Sequence, residues 1–455
     1  MEKSSQKKAY ILTVDMGYGH QRAVYPLYDI GAVPPQIPID PKYPVISANV
    51  YPGIPKVDRI RWEGGRNIYE TISRMKKLPV VGKYVFGILD YLQRIEPFYP
   101  RRDLSAPTAQ LKQIYRMIHR GWGKDLIEKL NHKPLPLITS FFNTAFFAEE
   151  HGYKEDIYCL CTDTDIARAW VPLEPKKSRI IYFAPSKRVK DRLMLYGVSP
   201  EKIYVTGFPL PKENIGDKKN NKTLRETLGC RIAHLDPHGI YQQKYSGLID
   251  NYLGKQFCRV DQKHVLTIAF AVGGAGAQRD IGITILQSLR GYIDSGQVRL
   301  ILVAGSRPDV YKYYQQEMVR LGLEKECGRC IEILYADNKA EYFRKFNEML
   351  KTTDILWTKP SELSFYAGLG LPIIMAPTVG SQEDFNKAWL HSIGAGFEQE
   401  DPRYTDQWLF DWLSSGWLAQ AAMEGFLDAP QNGAYHIENI VLRGKRSEIS
   451  DTQLM

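Results

Sequence analysis

The chain has 455 residues, 44% of them hydrophobic and 24% charged, with a formal net charge of +9. This length fits two or three domains with sizeable cores, and the composition excludes a disordered, fibrous or disulfide-scaffold protein. No apolar run approaches the roughly 18 residues of a membrane span, and the one behind the basic N-terminus is too short for a signal-peptide core, so a cytoplasmic protein able to lie on a membrane surface is expected.

Ala9–Val14 has the length and β-branched content of a buried strand. Asp15-Met-Gly-Tyr-Gly-His20 follows, and Gln21–Val24 can start a helix. Gly17 and Gly19 permit backbone angles that other residues avoid. The strand, turn and helix open a βαβ unit, whose turn lets a ligand approach the backbone at the carboxyl end of the sheet. Arg22 stands where the dinucleotide fingerprint needs its third glycine, so His20 at this turn needs another reason. Val33–Pro55 is Pro-rich and reads as an extended loop over the surface.

From Arg59 to Lys124 there are 14 Lys/Arg against 5 Asp/Glu, an excess equal to that of the whole chain. Aromatic residues, among them Trp62, Tyr84 and Phe86, are interleaved with the charge. Such a segment suits an anionic membrane surface, an acidic substrate or a nucleic acid; the plainer reading is a helical subdomain with a solvated basic face.

Further strands are expected at Leu137–Thr139, Ile157–Cys161, Ile180–Ala184 and Ile203–Thr206, with helical patterns such as Lys187–Tyr196 between them. Lys212–Lys222 reads as a polar linker, and Thr223–Gly229 as a short helix with its stop glycine. His234–Arg259 has no assignable pattern and reads as an insertion. The second half alternates again. Strands are expected at Val265–Phe270, Arg299–Val303, Ile331–Leu334, Asp354–Trp357 and Pro372–Ala376, and helices at Asp280–Ser295, Val310–Gly322, Asn338–Thr353 and Glu362–Gly368. Alternating β and α in two halves predicts two parallel-sheet domains with a cleft between them. Cys327–Cys330 is a lone CxxC without the partners a metal or redox site needs. Trp408 and Trp412, at helical spacing, read as core.

Three stretches of the second half carry chemistry. Ala271-Val-Gly-Gly-Ala-Gly-Ala-Gln278 lies between a strand and a helix, so Gly273, Gly274 and Gly276 offer backbone N–H groups to an anion. Thr358-Lys359-Pro360-Ser361 leads from a strand into a helix, with Ser361 as its expected N-cap. After the next strand, Gln382, Glu383 and Asn386 offer the hydrogen-bonding groups a polyhydroxylated ligand needs. In the first half, Asp163-Thr-Asp165 is an Asp-x-Asp, but three residues are a weak signal and its non-metal reading is preferred.

These motifs together resemble the glycosyltransferase group that holds MurG and the monogalactosyldiacylglycerol synthases. Gly273-Gly-Ala-Gly276, Thr358-Lys-Pro360, Gly370-Leu-Pro372 and Gln382-Glu-Asp-Phe-Asn386 stand in the order of that group's donor-binding domain. In the first half, Asp15-Met-Gly-Tyr-Gly-His20 is similar to the D-x-G-x-G-H loop of those synthases, and Cys161-Thr-Asp163 with Trp170 to their T-D…W segment. Tyr182–Ser186, Gly197–Ile203 and Thr206–Pro209 are similar to the end of their first domain.

The resemblance implies a GT-B fold, that is, two Rossmann-like α/β domains facing a central cleft. It divides the chain into an acceptor-side domain (1–211), a linker with insertion (212–262), a donor-binding domain (263–400) and C-terminal helices (401–455) that pack back on the first domain. It also implies inverting transfer of a hexose from a UDP-sugar to a lipid, with no further cofactor and no metal. His20 is then the base that takes the acceptor's hydroxyl proton, with Gly17 and Gly19 shaping the acceptor loop and Asp163 orienting or balancing the imidazole. Gly273, Gly274, Gly276, Thr358, Lys359, Ser361, Glu362, Gln382, Glu383 and Asn386 are the donor-binding candidates. Trp62, Arg66, Lys76, Lys77, Lys83, Tyr84 and Phe86 are the candidates for contact with the acceptor and an anionic membrane surface, on whose inner face the protein is expected; no nucleic-acid partner is.

The pattern departs from the family at one point. Phe365 occupies the slot of the glutamate that holds the nucleotide ribose, and Glu362 is the nearest acid. This leaves as alternatives a UDP-sugar enzyme with a soluble acceptor, an epimerase, or a non-catalytic sensor of a sugar nucleotide or lipid.

Overall fold

The computed structural model describes residues 8–64, 95–254, 264–271, 273, 276, 278–378 and 380–444, and the structural statements below concern these. The chain divides into two compact units, residues 1–209 with 379–385 and 432–455, and residues 210–378 with 386–431.

The first unit holds a six-stranded sheet of β1 (Tyr10–Thr13), β2 (Ile46–Ser47), β3 (Leu137–Thr139), β4 (Ile157–Leu160), β5 (Ile181–Ala184) and β6 (Ile203–Val205), in the order β2-β1-β3-β4-β5-β6. Every pairing is parallel, with Leu12 registered against Ile46 on one side and Thr139 on the other. Helices on both faces bury such a sheet, so its strands read as continuous apolar runs: all of β1, β3 and β4 is buried. The strand order reverses beside β1, where ligands of open α/β sheets bind.

The second unit repeats the plan with β7 (Leu266–Ala271), β8 (Val298–Gly305), β9 (Ile331–Tyr335), β10 (Ile355–Thr358), β11 (Ile373–Met375) and β12 (Gly396–Glu398), ordered β12-β11-β10-β7-β8-β9 and parallel throughout. Its order reverses between β7 and β10. The expected fold class of two Rossmann-like domains is therefore the observed one.

Several local expectations are corrected. Val33–Pro55 is not a surface loop: it contributes β2, buries Ile37, Ile46, Ala48, Tyr51 and Ile54, and ties Ala48 N–H to the Thr13 carbonyl. Its prolines masked apolar residues that fill the space beside β1. Gly229 does not stop a helix. The helix runs Lys222–Leu235 because Leu224, Leu228, Ile232 and Leu235 keep one side buried, which outweighs the ~1 kcal/mol cost of a helical glycine. The expected linker contains the helical turn Lys212–Ile215, and the expected insertion the helix Ile240–Leu253.

The C-terminal helices do not all return to the first unit. Thr405–Ser414 and Trp417–Asp428 belong to the second, where Trp408 packs edge-on against Trp357 and at a tilt against Trp412, at ring distances of 5.3 and 4.6 Å, and donates Nε1–H to the Asp401 carbonyl. Only Gly433–Arg443 joins the first, through His436 Nδ1 at 2.9 Å from the Thr206 carbonyl.

Candidate functional site

The carboxyl ends of β1, β3 and β4 bring the first group of candidate residues to one edge. After β1 the chain turns at Gly17, whose φ of +88° requires a glycine, and begins the helix Gly19–Val24. Gly19 does not use a glycine-only conformation; it is the first helical residue, so of the two only Gly17 is conformationally needed. Asn49, which sequence reasoning passed over, holds this turn from both sides: Asp15 N–H donates to its Oδ1 at 2.7 Å, and its Nδ2 donates to the Asp15 carbonyl at 3.2 Å.

His20 Nδ1 lies 2.7 Å from the carbonyl oxygen of Ser140, the residue after β3. A carbonyl only accepts, so Nδ1 carries the proton and the basic lone pair is on Nε2. Ser140 is itself fixed, with its N–H on the Leu12 carbonyl at 3.2 Å and its hydroxyl on Thr13 Oγ1 at 3.0 Å. The imidazole is therefore aimed by the junction of β1 and β3. A main-chain carbonyl has no sequence signature, which is why this orienting group was missed.

Asp163 follows β4 and is half-buried, with the Thr162 hydroxyl 3.4 Å from its Oδ2. Trp170, from the same segment, reaches His20 at a ring distance of 6.3 Å. Asp165 has a different role. It is 1% exposed and clamped by Arg192 through two bonds of 2.8 and 2.9 Å and by Arg188 at 3.1 Å. Both carboxylate oxygens are occupied by guanidinium groups, so this Asp-x-Asp is half structural ion pair.

In the second unit the glycine loop and the Thr-Lys segment meet. A Cβ on Gly273 would stand 2.5 Å from Lys359 Cε and 3.1 Å from Cδ, so the lysine stem lies across the glycine and only a residue without a side chain fits beneath it. Gly276 has φ +65°, and its N–H donates to the Gly273 carbonyl at 2.8 Å. Gln278 Nε2 ties the loop to the Pro377 carbonyl at 2.7 Å. The helix Arg279–Ser288 then starts without a side-chain cap; the Ile281 N–H donates to the Gln278 carbonyl at 3.1 Å, and Asp280 lies in the first turn, so the positive charge beside the loop comes from Lys359 and the helix dipole.

Other donor candidates are placed differently. Thr358 is 1% exposed and spends its hydroxyl on the Ala271 carbonyl at 3.2 Å, pinning β10 to β7 rather than facing a ligand. Ser361 does not cap with its side chain, because the turn after it, Glu362–Leu369, is a 3-10 helix with different end geometry. Glu362 is half-buried, whereas Phe365 is 2% exposed and packs on Trp389 at 5.2 Å, so the position that aligns with the family's glutamate holds a core aromatic residue. Gln382, Glu383 and Asn386 lie in the first turns of the helix Ser381–Ser392, Gln382 half-buried and the other two buried. Gly274 lies outside the described residues.

Of the membrane and acceptor candidates, Arg66, Lys76, Lys77, Lys83, Tyr84 and Phe86 lie outside the described residues. Trp62 is corrected: it is 6% exposed and packs on Trp122 and Phe147 at 4.9 and 5.8 Å, inside the core. The residues that do face outwards at the start of the basic segment are Val57 and Ile60, beside exposed Lys56 and Arg59.

At the opposite end of the second sheet, where β7 and β10 begin, Asp354 accepts from His264 Nε2 at 2.6 Å, His234 Nδ1 at 3.1 Å and the Thr267 N–H at 2.8 Å. Burial pushes its carboxyl up, but the hydrogen bonds from His234 and His264 and the charge of His264 outweigh it and hold the group below its ordinary value. The trio has metal-ligand side chains. Its two imidazoles, however, stack 3.5 Å apart and 5° from parallel, so their ring planes do not meet at one ion and each nitrogen aims at its own carboxylate oxygen. Nearby Arg231 is fully buried, its guanidinium lowered to about 10 by burial, and donates to the carbonyls of Leu350, Thr353, Leu369 and Gly370.

A family described as a domain of unknown function (DUF6938) matches residues 322–436. Among solved structures, S. aureus MnaA in complex with UDP is 12% identical over 96% of both chains with a TM-score of 0.47, and Acinetobacter baumannii MurG 10% identical over 95% of this chain and 99% of its own with a TM-score of 0.45. Proteins named processive diacylglycerol beta-glucosyltransferase from Bacillus cytotoxicus and Bacillus cereus are 22% identical over 305 residues, 62% of this chain. That match spans 65% of each relative's length, a little under two thirds. Over that shared part the chain is similar to lipid glucosyltransferases, in agreement with the resemblance carried by its motifs.

Proposed function

We propose that this chain moves a hexose from a UDP-sugar to a diacylglycerol-like acceptor at a membrane surface, by a single inverting displacement. The observation that carries the reading is the Nδ1–H of His20 fixed on the Ser140 carbonyl, which leaves Nε2 as a base at the ligand edge of the first sheet. As the acceptor hydroxyl attacks the anomeric carbon, Nε2 takes its proton, the C–O bond to UDP breaks, and the leaving diphosphate keeps the electron pair. Lys359 across Gly273, with the start of the helix Arg279–Ser288 behind the loop, supplies the positive charge that this leaving group needs. The similarity to diacylglycerol glucosyltransferases supports a lipid acceptor.

Docking on the bilayer is assigned to the basic segment that includes Lys76, Lys77 and Lys83, next in sequence to the exposed Val57 and Ile60. No helix among the described residues is long and apolar enough to cross a membrane. Neutralising the three lysines is expected to weaken binding to anionic vesicles by about 1 kcal/mol each, measured by sedimentation with vesicles at two salt concentrations. Unchanged, salt-insensitive binding contradicts the assignment.

Phe365 favours a second reading, a nucleotide-sugar sensor without catalysis, because the ribose partner is absent from its usual slot. Calorimetric titration with UDP, UDP-glucose and UDP-galactose separates the two. Saturable UDP binding that is lost in Gly273→Asp, with turnover on a lipid acceptor, supports the transferase. Binding without turnover supports the sensor, and no binding of any uridine nucleotide removes both.

A further inference from the structure

We propose that Phe141 and Phe142 are acceptor-specificity residues, an aromatic platform beside His20 that holds the apolar stem carrying the nucleophilic hydroxyl. This rests on the reading of His20 as the base.

The pair breaks a local rule. Phe141 is the N-cap of the helix Phe142–Glu150 and makes no side-chain cap bond, at a position where Ser, Thr, Asp or Asn is strongly preferred. Two large apolar side chains at an uncapped helix start cost stability, and such conflicts between local preference and structure concentrate at functional sites. Their surroundings differ from those of their neighbours. Phe146 and Phe147 on the same helix are at most 1% exposed, whereas Phe141 and Phe142 are only half-buried, at the carboxyl edge of β3.

The rings are arranged around the base. Phe141 meets His20 edge-on at 4.9 Å and Phe142 at 4.6 Å, Phe142 meets Trp170 at 5.3 Å, and Trp170 returns to His20 at 6.3 Å. One tripeptide, Ser140-Phe141-Phe142, thus does two things: its first carbonyl sets the tautomer of the imidazole, and its next two side chains form an apolar surface that reaches the imidazole through Phe141. In this proposal the carbon skeleton next to a hydroxyl held at Nε2 lies over these rings. Aromatic faces gain from contact with CH and CH2 groups and lose from desolvating charge or water-bound polar groups. The platform therefore selects an alcohol on an apolar stem, such as the glycerol carbon of a diacylglycerol, against a freely hydrated polyol.

The test uses the full chain, wild type, Phe141→Ser, Phe142→Ser and Phe142→Leu. Calorimetric binding of dioctanoylglycerol to the UDP-saturated protein is measured together with steady-state transfer. Each Ser variant is expected to weaken dioctanoylglycerol binding and raise its KM roughly tenfold, with UDP affinity and donor KM within twofold of wild type and with Phe142→Leu closer to wild type than Phe142→Ser. Unchanged UDP affinity also shows that the variants fold. Acceptor binding and KM unchanged in both Ser variants of an active enzyme overturn the platform alone, as does wild type using glycerol as well as dioctanoylglycerol. A wild type that binds dioctanoylglycerol but transfers no sugar overturns the base assignment, and with it the platform.

Discussion

The two ends of β10 carry charge in different settings. At its start, Asp354 receives two imidazoles and a backbone N–H, and buried Arg231 closes the surrounding carbonyls. At its end, Lys359 crosses a glycine into a loop whose helix begins uncapped. A charge whose partners all come from the fold is there to hold strands together. A charge laid over a glycine loop that runs into a helix start is where, in the proposed function, a phosphate is met. In the first unit Asp163-Thr-Asp165 differs by place: Asp165 is clamped by two arginines, and half-buried Asp163 stands at the edge that carries His20.

The largest effect is expected on the open side. His20→Ala should lower transfer by ~10²–10⁴-fold, the usual worth of a positioned base, while melting temperature and UDP affinity stay near wild type. Stopped assays of sugar transfer, run beside calorimetry with UDP, separate these quantities.

On the closed side the loss should be of stability. Asp354→Ala leaves two stacked imidazoles and the Thr267 N–H without their acceptor, and removal of one partner of a buried charge cluster costs about 3–5 kcal/mol. Urea unfolding measures it. If transfer per folded molecule falls as steeply as stability, the division between the two ends is wrong.

Gly273→Ala sharpens the comparison from the other end. Its Cβ would stand 2.5 Å from Lys359 Cε, so the lysine stem must move off the loop, and UDP binding should weaken about tenfold with unfolding unchanged within about 1 kcal/mol. Gly273→Ala in a Lys359→Ala background should add little to the loss from Lys359→Ala alone.

The smallest effect is the pH dependence. Because the folded carboxyl of Asp354 is held below its ordinary value of 3.8, its contribution to stability is fully present above that value and is lost as pH falls through the folded pKa. The stability difference between wild type and Asp354→Asn, from urea titrations at pH 7 and at acid pH, should therefore shrink on the acid side. The groups facing the carboxylate are His234 and His264, with buried Arg231 nearby on the carbonyls of Leu350, Thr353, Leu369 and Gly370. A difference that grows on acidification contradicts the assignment.

Much of this was legible in the sequence, because a parallel sheet buried on both faces writes its strands as apolar runs. β2 and β12 were missed for a physical reason: two or three residues are too short to show a period, and Ile46–Ser47 sits among prolines. Glycine motifs were legible because steric demand is local. Gly273 must be bare under Lys359 and Gly17 must hold a positive φ. The orienting group of His20 was not, since the Ser140 carbonyl is main chain and lies 120 residues away. Trp62 shows the limit of composition: basic and aromatic residues mixed in one segment look alike from the sequence, whether the aromatic ring faces a membrane or, as here, Trp122 and Phe147.

The most direct test of the central claim is transfer from UDP-glucose and UDP-galactose to dioctanoylglycerol by wild type and His20→Ala, with the anomeric configuration of the product read by NMR. The account predicts an inverted anomer from wild type, and transfer lowered by ~10²–10⁴-fold in a variant that still binds UDP. A product of retained configuration, or turnover by His20→Ala at the wild-type rate, would contradict it.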